Sequence, residues 1–128
     1  VKLLLDTHIL LWAAEGSSQL STQAKSLIED PENQLYFSSA SLWEIAIKNT
    51  LGRADFKVDP AVLRRCLLDN GFEEMVVNSA HAVNLQALPE IHKDPFDRML
   101  LAQTLVEGVT LVTADSVVAQ YPVALMRV

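Results

Sequence analysis

Five acidic residues occupy places that surface solubility alone does not explain. Asp6 follows the apolar run of Leu3, Leu4 and Leu5, at the carboxyl end of what reads as a first strand. A helix N-cap is the other use for an aspartate there. Glu44 lies in SLWEIAIKNTL, a segment apolar on nearly every side. Burying a carboxylate in such a segment is expensive unless something pairs with it. The alternative is an exposed Glu44 paired with Lys48 one turn later, worth roughly a few tenths of a kcal/mol. Asp94 and Asp97 flank the start of a helix in HKDPFDRMLLAQT. Acids in a first turn favour the helix dipole. Asp94 suits the cap because Pro95 follows it at the first helical position. Asp97 shares a face with Leu100, Leu101 and Thr104 and is expected to point inward. Asp115 follows a strand over Val109–Thr113, again at a carboxyl end, where it too can cap.

Singly these acids are weak signals. Together they imply a pocket, because three of them sit at or just beyond the carboxyl ends of strands or at the start of a helix that should open beside them. Glu44 joins them if the inner face of its helix looks toward that edge. Two like charges 4 Å apart repel by about 4 kcal/mol at an effective dielectric near 20. Three or four carboxylates therefore need protons or a cation to share a pocket. An all-oxygen donor set suits Mg²⁺ or Mn²⁺. Carboxylate-held metal ions are recurring machinery for phosphodiester hydrolysis.

The elements that must position these acids alternate between strand and helix. Strands are expected at Lys2–Asp6, Gln34–Ser38, Glu73–Val77, Val109–Thr113 and Val123–Met126. Helices are expected over Ile9–Ala14 and from Ser21 to Pro31. A third, capped by Ser39 or Ser41, runs to Leu51, and a fourth runs from Pro60 to near Gly71. Ser79 caps a fifth through Leu85, Pro95 opens a sixth through Val106, and a short one spans Asp115–Ala119. Five short strands separated by helices imply an α/β fold with a mostly parallel five-stranded sheet covered on both faces. Such sheets bind ligands outside the carboxyl ends of their strands. At 128 residues, with half of them hydrophobic and a fifth charged, the chain reads as a single domain over residues 1–128 with one core. Its single cysteine, Cys66, excludes an intrachain disulfide and any multi-cysteine zinc site, so a reducing, cytoplasmic setting is expected. No apolar run approaches the roughly 20 residues of a membrane span. The amino-terminal apolar stretch, broken by Asp6 and His8, is a poor signal peptide. The net charge of −6 argues against a large phosphate-gripping surface, but not against an enzyme that meets phosphates through metal ions.

Four stretches, LLLDTHILLW, SLWEIAIK, HKDPFDRMLLAQ and LVTAD, occur in that order along the chain. In this the sequence resembles the PIN domains, and among them the toxin ribonucleases of VapC type from bacterial toxin–antitoxin pairs. The resemblance spans the whole chain, and DTHILLW together with DPFDRMLLAQ is its most specific part. It implies a PIN fold and a Mg²⁺- or Mn²⁺-dependent endoribonuclease leaving a 5′-phosphate and a 3′-hydroxyl. It implies an RNA substrate, a cognate antitoxin partner and a homodimer. Asp6, Glu44 and Asp97 are then the metal-holding catalytic acids, with Asp115 as the fourth acid of the pocket. Asp94 becomes a cap or a neighbour of the ligands, and Thr7 and Thr113 small polar residues of the pocket. Thr104 departs from the alanine common in relatives.

Other residues are read more plainly. His8, His81 and His92 lack metal-motif spacing and are expected at the surface or in the core, although His92 lies close enough to Asp94 to reach a substrate. Cys66, Trp12 and Trp43 are expected in the core, either tryptophan being also able to stack on a base. Lys48, Arg53, Lys93 and Arg98 are candidates for phosphate contact, whereas Arg64 and Arg65 read as solvated charge. Two rival enzyme classes fit poorly. A haloacid-type phosphatase wants a second aspartate two residues after the first, where His8 stands. A phosphotransfer receiver wants a lysine after a late strand, which here ends in Thr113, Ala114 and Asp115. The non-enzymatic alternative is an inactive PIN module that binds RNA or protein, against which stands the presence of all four acids.

Overall fold

Leu3, Leu4 and Leu5 are fully buried, which a strand achieves only when both faces of its sheet are covered. In the computed structural model, which describes residues 1–128, they form strand β1 (Lys2–Leu5) at the centre of a five-stranded sheet. The remaining strands are β2 (Gln34–Ser38), β3 (Glu73–Met75), β4 (Thr110–Thr113) and β5 (Leu125–Arg127). Their order is β3-β2-β1-β4-β5 and every pairing is parallel. The register sets Leu4 against Tyr36 on one side and Leu111 on the other. Because β1 has neighbours on both sides that reach it by different crossovers, its carboxyl end is the point where the winding of the sheet reverses. A crevice is expected there.

Successive strand residues face opposite sides, and the core divides accordingly. Leu3, Leu5 and Val112 pack with helices α1 (Thr7–Glu15), α2 (Thr22–Glu29), α3 (Ser39–Thr50) and α4 (Pro60–Asp69) on one face. Leu4 and Leu111 pack with α6 (Pro95–Glu107) on the other. Helix α5 (Ser79–Asn84) contacts α6 and runs into a 3₁₀ turn at Leu85–Ala87. No helix is long and apolar enough to cross a membrane.

The helix starts follow local chemistry. Asp6 caps α1 by accepting from the Ile9 amide at 3.0 Å, and Ser21 caps α2 through the Ala24 amide. Asp59 and Asp94, each followed by proline, cap α4 and α6. Gly108 ends α6 at a φ of 68°, a left-handed conformation in which a side chain is strained.

Several boundaries differ from those expected. Ser38 caps α3 through the Ala40 amide, so neither Ser39 nor Ser41 does. Ser41 instead lies buried and accepts the Thr7 hydroxyl at 2.9 Å. Asn78, rather than Ser79, caps α5, in a capping box completed by His81. Strand β3 stops at Met75, and β5 starts two residues late, after the turn at Tyr121–Val123. The short helix expected over Asp115–Ala119 is a single 3₁₀ turn at Val118–Gln120. Cys66 is exposed, because the buried stripe of α4 is Leu63 and Leu67. Trp43 is 63% exposed and Trp12 half-buried, so neither sits in the core interior.

Candidate active site

The crevice predicted by the strand order exists. A cavity of about 310 Å³ is lined by Asp6, Glu44, Asp97 and Asp115, together with His8, Trp12, Lys48, His92, Asp94 and Ala114. The four acids named from the sequence thus share one wall system, although they come from four separate parts of the chain. Asp6 enters from the end of β1, Glu44 from α3, Asp97 from the first turn of α6 and Asp115 from just beyond β4.

Each acid is held by a different local device. Asp6 is both a cap and a pocket acid, so its two expected uses coexist. One oxygen takes the Ile9 amide, and the Thr113 hydroxyl also bonds the carboxylate. Burial pushes its pKa above the ordinary carboxylate value, against the pull of those two bonds, and the Asp115 charge pushes in the same direction as burial. Asp115 is exposed. Its amide donates to Thr113 Oγ1 at 3.0 Å, and its Oδ1 accepts from the amides of Val117 and Val118.

Glu44 is buried, unlike the exposed residue of the alternative reading, but it keeps the Lys48 partner of that alternative. It is 3% exposed and paired with Lys48 one turn later. Lys48 is itself largely covered, with its ammonium 4.6 Å from the centre of the Phe56 ring. One Glu44 oxygen takes this ammonium, while the other, Oε1, is buried with no hydrogen-bond partner. A buried carboxylate oxygen left alone is costly. Beside the other carboxylates of the cavity, it is a position that a cation satisfies. Helix α3 accordingly turns its glutamate in and Trp43 out, the reverse of hydrophobic patterning. Trp43 packs edge-on against Phe96 with centroids 5.0 Å apart.

Asp97 has its pKa raised to about 6, first by burial and next by the neighbouring Asp94 charge, with Glu44 and Asp6 adding to the rise. His92 opposes it, with Nε2 lying 2.8 Å from Asp97 Oδ2. Asp94 caps α6 through the amides of Phe96 and Asp97, as expected. His92, Asp94 and Asp97 each offer one ligand atom within 4.8 Å of the others. The cavity is therefore dominated by carboxylate oxygens, with the imidazoles of His8 and His92 beside them, a set suited to Mg²⁺ or Mn²⁺.

The bond from His92 to Asp97 was not legible beforehand; the only signal was their five-residue spacing across Pro95. The remaining candidates are dispersed. Thr7 and Thr113 lie buried beside the acids. His8 lines the cavity mouth, edge-on to Phe56 and 3.6 Å from Asp55. Arg53 pairs with Asp55, and Lys93 is exposed outside the lining. Arg98 does not face the cavity as a phosphate contact; its guanidinium bonds three main-chain carbonyls and Tyr121. Arg64 is exposed near Glu74, and Arg65 is exposed, as expected for solvated charge. His81 is buried, bonded to Glu107 at 2.7 Å.

Comparison with solved structures finds the same fold. The chain is similar to a chain of the VapBC2 complex from Rickettsia felis, determined bound to a DNA fragment from its promoter. That match has TM-score 0.72 and 16% identity, over 99% of this chain and 98% of that one. It is also similar to a chain of VapBC-1 from nontypeable Haemophilus influenzae, with TM-score 0.62 and 15% identity over 99% and 98% of the two chains. A domain of a functionally unknown protein from Methanocaldococcus jannaschii matches with TM-score 0.61 and 14% identity, over 99% and 90%. At such identities the likeness concerns the fold. By sequence, no curated protein gives a significant match. The sequence profile of the PIN domain covers residues 3–124. Nearly the full length of the chain therefore carries one family's pattern, and the protein belongs to the PIN domain family.

Proposed function

We propose that this protein is a Mg²⁺- or Mn²⁺-dependent endoribonuclease, the VapC-type toxin of a toxin–antitoxin pair. The observation that carries the reading is the convergence of Asp6, Glu44, Asp97 and Asp115 on one cavity, with Glu44 Oε1 buried and unpartnered. These four carboxylates are the groups that would hold the ion. Bound there, it would supply Lewis-acid activation of water and neutralise charge on the phosphodiester. The protein's own residues do the rest. The Ile9 amide and the Thr113 hydroxyl fix Asp6, and the amides of Val117 and Val118 fix Asp115. Glu44 and Lys48 hold each other in place. That leaves one carboxylate oxygen for a cation and keeps an ammonium within the cavity, where it can meet a phosphate. His8 and Trp12 form an aromatic wall beside the acids, with ring centroids 5.7 Å apart, a surface on which a base can stack. Hydrolysis in this family pattern leaves a 5′-phosphate and a 3′-hydroxyl.

The partner reading rests on the two VapBC complexes whose fold this chain shares. A cavity of acids on a chain of net charge −6 also suits inhibition by a basic side chain. An antitoxin arginine or lysine placed among these carboxylates competes with the metal for them. A homodimer belongs to the same reading.

The test is RNA cleavage by the purified chain with Mn²⁺, with EDTA and with D97N, mapping new 5′ ends. Cuts that need the metal and vanish in D97N support the nuclease. A folded protein that cuts no RNA with any metal points instead to an inactive PIN module that binds RNA or protein.

A further inference from the structure

The segment between the Leu85–Ala87 turn and α6 has no regular structure, yet it presents the imidazole that touches Asp97. Its shape is imposed from outside. Arg98 Nη1 donates to the Pro89 carbonyl at 3.0 Å, to the Tyr121 hydroxyl at 3.1 Å and to the His92 carbonyl at 3.4 Å. Its Nη2 donates to the Leu85 carbonyl at 3.2 Å. The Tyr121 hydroxyl accepts the His92 amide at 2.7 Å and donates to the His92 carbonyl at 3.3 Å. That hydroxyl thus spends its proton and both lone pairs, all on His92 and Arg98. Tyr121 is 3% exposed and packed in the core that includes Leu4 and Leu111, so it is a fixed anchor. Arg98 forms no ion pair, although it adjoins Asp97 in sequence. Its charge is spent on the carbonyls of Leu85, Pro89 and His92 and on the Tyr121 hydroxyl.

The consequence falls on one side chain. With the His92 main chain gripped at both its amide and its carbonyl, the ring is presented from a fixed backbone, and its Nε2 meets Asp97 Oδ2 at 2.8 Å. The torsion that rotates a carboxylate about its own axis is soft, so a hydrogen bond to one oxygen sets the direction of the other. Against an ionised carboxylate, that distance places the proton on Nε2, which leaves this nitrogen no lone pair for a metal. We infer that His92 is a positioning residue, its Nε2–H orienting the Asp97 carboxylate toward the bound cation, with Arg98 and Tyr121 as the clamp that presents it. The inference rests on the metal-dependent reading above. It concerns residues outside the four acids of that reading.

The experiment is Mn²⁺ binding by calorimetry at neutral pH, with thermal unfolding of each variant measured in parallel. H92A is expected to bind about 10–100-fold more weakly, the usual cost of losing a group that orients a ligand. H92Q, whose amide nitrogen can occupy the place of Nε2 and donate, is expected to recover most of that loss. Y121F keeps its ring in the core and is expected to weaken binding by a smaller factor, and to add nothing once His92 is gone. H92A binding as tightly as wild type overturns the inference, as does H92Q binding as weakly as H92A. So does a spin-echo signal from imidazole nitrogen bound directly to Mn²⁺ that the H8A variant retains, since His92 would then be a ligand. Wild-type protein that binds no Mn²⁺ overturns the metal-dependent reading itself and this inference with it.

Discussion

Helices α4 and α6 open on the same dipeptide, and they open alike. Asp59 and Asp94 have nearly the same backbone angles, −69° and 119° against −64° and 116°, and each is followed by proline at the first helical position. Each carboxylate accepts the amide two residues on at 2.9 Å. Three residues after the cap the two helices part. In α4 that position is Val62, 64% exposed. In α6 it is Asp97, lining the acidic cavity with its pKa raised to about 6. The apolar residue faces water and the acid faces inward. Both starts obey the same local capping chemistry, so the difference comes from where each helix begins. Helix α4 starts among exposed residues after Phe56, and α6 starts beside the acids at the carboxyl ends of β1 and β4. A cap is local chemistry; a site is made by what the cap is placed against.

The largest test of that contrast is cleavage itself. D97N is expected to abolish metal-dependent cutting of RNA while the protein stays folded, whereas V62D, at the matching position of α4, is expected to leave cutting unchanged. End-mapping of the products checks both, and wild-type cutting by D97N would show that the cavity has been misread.

Next in size is the effect of pH on stability. Native Asp97 holds its proton more tightly than an unfolded aspartate does, its pKa being about 6 against 3.8. Between those values the native state binds the extra proton, so stability falls as pH rises through the window and levels off above it. A difference of about two units corresponds to about 3 kcal/mol. Burial raises the pKa of Asp6 as well, which adds to the fall. Urea denaturation in EDTA from acid to neutral pH should therefore show a metal-free protein that is less stable at pH 7 than near pH 4. D97N should flatten much of that slope, and at pH 7 it should be the more stable protein.

Smaller again is the loss of the caps. D59A and D94A are each expected to cost about 1 kcal/mol. Only D94A should also move the pH of the stability decline downward, because the Asp94 charge is the second-largest cause of the raised Asp97 pKa. An unchanged decline in D94A would mean that the two acids do not sense each other. The smallest effect is that of V62D on stability, expected within about 0.5 kcal/mol as for other exposed positions.

Much of this was legible along the chain because it depends on neighbours in sequence. The three leucines of β1, the proline at the start of α4, the Asp94-Pro95 start of α6 and the stop at Gly108 each follow from a few adjacent residues. So does the suspicion attached to Glu44, since a carboxylate among apolar neighbours is conspicuous wherever the segment lies. What failed to read out involved competition between similar residues or contacts across the fold. Ser39 and Ser41 were the expected caps of α3. Ser38 caps it because β2 ends there, while Ser41 is drawn inward to the Thr7 hydroxyl. Trp43 and Cys66 were expected inside by residue type, but the buried stripes of their helices run through Ala40, Ser41, Glu44 and Ile45 and through Leu63 and Leu67. Arg98 looked available for phosphate because nothing near it in sequence shows the carbonyls and the Tyr121 hydroxyl that absorb its charge.

Residue type and short spacing were enough to set the alternation of strands and helices, the positions of the acids relative to those elements and the family pattern. Tertiary structure alone decided that residues 6, 44, 97 and 115 line one cavity, that one oxygen of Glu44 is left without a partner and that His92 is held against Asp97. Those outcomes require the parallel order β3-β2-β1-β4-β5, which gathers distant chain segments at one edge of the sheet. A carboxylate's desolvation and repulsion depend on what it meets in space.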